Sequence, residues 1–194
     1  MSSPFSVPGA KPTLALALTM TLFGIVGVSS SLNALTASPS EVAVAGPGVA
    51  PELTEVTAAI AREPLWRAVG VANLLVSGLL LVASFLMTGR ARSALWWTGQ
   101  ALWANAAYSL GAGAANAYLV HVHAGELIRA VEAMAAMDPA SPPLPPGAAD
   151  GMPLLASVAA LVYGAFLAGL YLVMLRVARA DAVQRFVQRV PPAT

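Results

Sequence analysis

Residues 13–35, 68–88, 93–120 and 152–175 include no side chain that is charged at neutral pH, and most of them are apolar. A bilayer core of about 30 Å is crossed by about 20 helical residues, and a chain inside it must pair every backbone amide within its own segment. Each stretch meets that length. The sequence therefore predicts an all-α integral membrane domain, a four-helix bundle with spans at about 13–35, 68–88, 93–120 and 152–175. Two loops, about 36–67 and 121–151, and a tail at 176–194 complete the chain. With 194 residues there is no length left for a separate soluble domain.

Charge orients the spans. Lys11, Arg90, Arg92, Arg176, Arg179, Arg185 and Arg189 fall on one side with Asp181 alone among the acids, a net of +6. Opposite them, Arg62, Arg67 and Arg129 meet six glutamates and two aspartates, a net of −5. Basic residues near span ends stay in the cytoplasm, so both termini are expected to be cytoplasmic and both long loops external, in a bacterial inner membrane. A cleaved secretory leader is the rival reading of the first span. The long apolar run and the lack of a clean small-x-small cleavage site favour a retained helix.

Both loops carry an amphipathic helix pattern. In the first, Pro51 suits a helix start, Glu52 and Glu55 suit its positive end, and Leu53, Val56 and Ile60 share a face. Ser38 to Ala50, with Pro39, Gly46, Pro47 and Gly48, precedes it as a flexible stretch. In the second loop Leu127, Ile128, Val131 and Met134 form the apolar stripe, opposite Glu126, Arg129 and Glu132. Pro139, Pro142, Pro143, Pro145 and Pro146 then impose an extended return. Each loop helix is expected to lie on lipid or on the ends of the spans. The tail sets Arg176, Arg179, Arg185 and Arg189 among Val183, Phe186, Val187 and Val190, the pattern of an interfacial helix continuing the fourth span over anionic lipid.

Within the spans, Asn73, Asn105 and Asn116 are candidates for a polar path or for interhelical hydrogen bonds, with packing the commoner use. Asn73, Ser77 and Ser84 share a face expected to address the third span. Small residues recur every fourth position, Ser109, Gly113 and Ala117 on the third span and Ala160, Gly164 and Ala168 on the fourth, the pattern that lets helix backbones approach closely. Leu119 is expected near the outer end of its span, its truncation to alanine milder than Gly113→Leu. His121 and His123 end the third span, but residues two apart on a helix diverge by about 160°, so no shared metal ion is expected.

What is missing narrows the function. Cysteine is absent, which removes disulfides and thiolate chemistry. The spans hold no acid to couple a proton gradient, no facing histidine pair for haem and no clustered aspartates for a metal-dependent transferase. No catalytic site, cofactor, metal or nucleic-acid partner is expected. The reading is a non-enzymatic four-span protein acting as scaffold, accessory subunit or assembly or regulatory partner, with a membrane protein or a second copy as its contact. The alternative is a small oligomeric transporter or channel.

Overall fold

The computed structural model describes residues 9–37, 50–137 and 147–188, and every regular element among them is helical. In chain order these are α1 (Ala10–Thr36), α2 (Pro51–Arg62), α3 (Pro64–Thr88), α4 (Ala94–Val122), α5 (Ala124–Met137), a 3-10 turn (Ala149–Gly151), α6 (Met152–Ala178) and α7 (Asp181–Gln188). The glycine- and proline-rich stretch before Ala50 and the prolines from Pro139 to Pro146 lie outside the described residues, as does Arg189.

Three helices are long and apolar enough to cross a membrane by length and composition: α1, α3, and the 3-10 turn with α6. They expose large apolar side chains that a helix in water would turn inward, among them Val26 on α1, Phe85 on α3 and Leu154 on α6, all at least 66% accessible. At 29 residues α4 has the length, but Gln100, Asn105 and Asn116, with its glycines, tryptophans and tyrosines, dilute its apolar character, and it falls below the other three.

Prolines set the start of the second hairpin of helices. Ala50 is extended (ψ 138°), Pro51 takes the first helical turn, where a missing N–H leaves no orphan donor, and Glu52 faces the positive end. Pro64 both stops α2 and opens α3, leaving Glu63 alone between them, its N–H donating to the Ile60 carbonyl at 3.1 Å.

The described chain divides into two compact units. The first comprises residues 9–31, 72–109 and 166–188. In it α1 and α3 run antiparallel along a seam whose buried positions are spaced in heptads: Thr13, Ala17, Met20 and Gly24 on α1, and Ser77, Leu80, Ser84 and Met87 on α3. Alternating steps of three and four are those of interlocking helices with a slight supercoil. Phe23 of α1 meets Tyr171 of α6 edge to face at 5.8 Å.

The tail departs from its sequence pattern. Instead of continuing α6, the chain breaks at Arg179–Ala180 and restarts as α7, and the Gln184 side-chain amide donates to the Arg179 carbonyl freed by the break. Val183 and Val187 are buried in the protein core of this unit, at 0% and 4% accessible, where a helix lying on lipid would have left them open. Gly9, at φ +90°, is in contact with the Ala182 backbone, close enough that a Cβ there would collide with it, which seats α7 on the start of α1.

The second unit comprises residues 32–37, 50–71, 110–137 and 147–165. Here α2 and α5 pack on each other; Val56, Ala58 and Ala61 of α2 and Ala130 of α5 are buried, with Leu127, Ile128 and Val131 half-buried. The two loop helices are thus in contact with each other. Met134, at the far end of the stripe, remains exposed.

Candidate functional site

The polar groups of the long helices are the first candidates. Asn105 is 2% accessible, and its amide donates to the Val76 carbonyl of α3 and to the Ala101 carbonyl one turn back on α4, both at 2.8 Å. Asn73 donates to the Gly27 carbonyl of α1 at 3.3 Å and accepts from Ser77 Oγ at 3.2 Å. Ser84 Oγ donates to the Ala17 carbonyl at 2.7 Å and lies 2.7 Å from Thr21 Oγ1. The face of Asn73, Ser77 and Ser84 therefore addresses α1, not the third long helix as its spacing suggested. Its reason lies on α1: a Cβ on Gly27 would collide with the Ser77 hydroxyl, and one on Gly24 would stand 2.7 Å from Leu81, so the two glycines open the space the polar face fills. Asn116, in the second unit, is half-buried. Asn105 and Asn73 both hold an α1 or α3 backbone carbonyl.

The small-residue positions divide in the same way. In the second unit Gly113 meets α6 backbone to backbone: a Cβ there would stand 2.9 Å from the Ala160 carbonyl oxygen and 3.3 Å from Gly164 Cα. Ser157 Oγ donates across to the Ala117 carbonyl at 3.3 Å, tying the same two helices. In the first unit Ser109 is buried with its hydroxyl on the Asn105 carbonyl at 2.8 Å, and Ala168 is buried at 5% accessible. Leu119 lies near the end of α4, as expected, and is 2% accessible, so its truncation carries the cost of a buried leucine.

At the junction of α4 and α5, His123 is the residue between the two helices and lies between two carboxylates. Its Nδ1 is 2.9 Å from Glu126 Oε2, and its Nε2 is 3.4 Å from Glu63 Oε1. Its carbonyl accepts the amides of Glu126 and Leu127, so it caps α5, while the ring's Nε2 is buried beside Glu63 without a hydrogen bond. His121 is exposed, and among the described residues no group of three side chains could hold a metal ion. The pairing with Glu63 had no sequence signal, since sixty residues separate the partners.

On the tail, Arg176, Arg179 and Arg185 are exposed. Phe186 carries the Arg90 guanidinium 4.2 Å above its ring, a cation–π contact worth about 0.5–1 kcal/mol at an exposed site. Arg90 sits in the left-handed region at φ 51°, in the position after α3 where the Ala91 amide reaches back to Leu86 at 3.0 Å. Glycine usually holds that position; a side chain there costs on the order of 1 kcal/mol.

No protein-family model, curated protein or solved structure matches this chain.

Proposed function

We propose that this is a multi-pass protein of a bacterial inner membrane, with four spans, α4 among them, and both termini in the cytoplasm, and that it works by contact and without catalysis. It serves as a scaffold, an accessory subunit, or an assembly or regulatory partner of another membrane protein or of a second copy. The observation that carries this reading is the use made of the intramembrane polar groups. Asn73, Ser84 and Asn105 each donate to a backbone carbonyl of another helix, and Ser77 and Ser109 bond within their own helices, so these groups are spent on protein contacts and do not line an open path. In this reading α2 and α5 form an outward platform, and the exposed arginines of the tail face an anionic inner leaflet, where each adds about 1 kcal/mol of attraction.

Flux measurements on proteoliposomes test it. Liposomes with the purified protein should pass ions and small polar solutes no faster than empty ones, while mild-detergent purification should retain a stoichiometric partner or a second copy. Flux above the empty-liposome rate, lost on Asn105→Leu, would replace this reading with the transporter.

A further inference from the structure

In the first unit, the start of α1, the end of α3 and α7 enclose a crevice of about 190 Å³. Ala10, Leu14, Ala17 and Met87 line it with apolar surface, together with Thr88, Phe186 and the exposed Arg90. The hydroxyl of Thr88 already donates to the Phe85 carbonyl, so the group free to bind an anion is the exposed guanidinium of Arg90. The Phe186 ring 4.2 Å away holds that guanidinium, and the Arg90 backbone that carries it is left-handed, at φ 51°. Backbone strain at a position that glycine would fill without strain is the kind of feature retained where a side chain is needed.

We propose that this crevice is a binding site for one anionic phospholipid of the inner leaflet, its phosphate on Arg90 and the first part of an acyl chain on Leu14, Ala17 and Met87. The inference rests on the membrane reading above and names a ligand within it. Size favours this occupant. Sites that enclose a small molecule run to about 300–1,000 Å³, whereas this one suits a ligand most of which stays outside, as a lipid does with its chains in the bilayer. The charge agrees as well. A cation held beside apolar surface pairs with a phosphate ester joined to a hydrocarbon, and bidentate guanidinium–phosphate contact is the strong form of that pairing.

The test uses the full chain in nanodiscs of phosphatidylcholine, with phosphatidylglycerol added in steps and bound lipid counted by native mass spectrometry after release. The parent protein should retain one phosphatidylglycerol in preference to phosphatidylcholine, and Arg90→Gly should weaken that retention about tenfold, the loss of one charge-assisted contact. Arg90→Gly relieves the left-handed strain, so it should fold at least as well as the parent, and Arg92→Gly, two residues away, should retain the lipid. Equal retention by the parent and Arg90→Gly would overturn the site. Displacement of the lipid by millimolar inorganic phosphate would overturn the acyl-chain half of it and leave a phosphate site. Carbonate washing of native membranes separates the two layers of the argument: protein released by the wash contradicts the membrane reading itself, whereas protein that stays embedded without lipid preference contradicts this site alone.

Discussion

At the scale of the residue, what decides an outcome is whether a side chain meets backbone or open space. Gly113 and Gly111 lie on the same helix two residues apart, yet a Cβ on Gly113 would press on the Ala160 carbonyl and Gly164 Cα, while one on Gly111 would meet nothing within 4 Å. The two alanine substitutions should therefore differ in sign. Gly111→Ala should stabilise by about 0.5–1 kcal/mol through reduced backbone freedom, and Gly113→Ala should destabilise, with Gly113→Leu losing about 3 kcal/mol or more because backbone cannot move aside. Thermal unfolding in detergent reads both; a Gly113→Ala protein as stable as Gly111→Ala would refute the close approach to α6. Asn105→Ala should lose about 1 kcal/mol, one interhelical hydrogen bond of about 0.6 kcal/mol with a small void beside it. Leu119→Ala should cost about 2–5 kcal/mol, the range for a buried leucine. The same measurement checks both. The burial of Leu119 was not legible in the sequence: periodicity locates a residue along a helix and around it, but what the far side touches depends on partners distant in sequence.

The elements themselves were largely legible. Uninterrupted apolar length gave the long helices to within a few residues, α6 for example at Met152–Ala178 against an expected 152–175, because nothing local competes with helix in such stretches. Pro51 and Pro64 fixed both ends of α2. Less legible was the seam between α1 and α3. Thr13, Ala17, Met20 and Gly24 follow the heptad steps in the sequence, but a search for small residues every fourth position passes over a pattern that alternates three and four. The break before α7 had no signal of its own, since Arg179 and Ala180 are ordinary helix formers; burial of Val183 and Val187 outweighs the continuous helix. One consequence follows for the tail. Val187→Asp should destabilise the whole protein by several kcal/mol, because it puts an unpaired charge in the core, whereas Arg185→Gln should leave stability unchanged and weaken only salt-sensitive attraction to anionic vesicles. Thermal unfolding and vesicle flotation at two salt concentrations separate the two effects. A Val187→Asp protein with the parent's stability would return the tail to the lipid surface.

For the whole molecule, the account depends on α4. Three helices carry enough apolar character to span a membrane, and α4 has the length with less of it, so the proposed topology, and with it the placing of Arg90 and Glu126 on opposite sides, rests on whether α4 crosses. Its polar groups argue that it can. Asn105 and Ser109 are satisfied by carbonyls, which removes much of the penalty for placing them in hydrocarbon. The native chain lacks cysteine, so a single introduced thiol is an unambiguous reporter. Ser93→Cys and Gly125→Cys place exposed thiols at the two ends of α4. Treated with a membrane-impermeant maleimide on intact spheroplasts, Gly125→Cys should label at once and Ser93→Cys only after permeabilisation. Labelling of both in intact spheroplasts, or of neither, would place the two ends of α4 on one side of the membrane and contradict the four-span account.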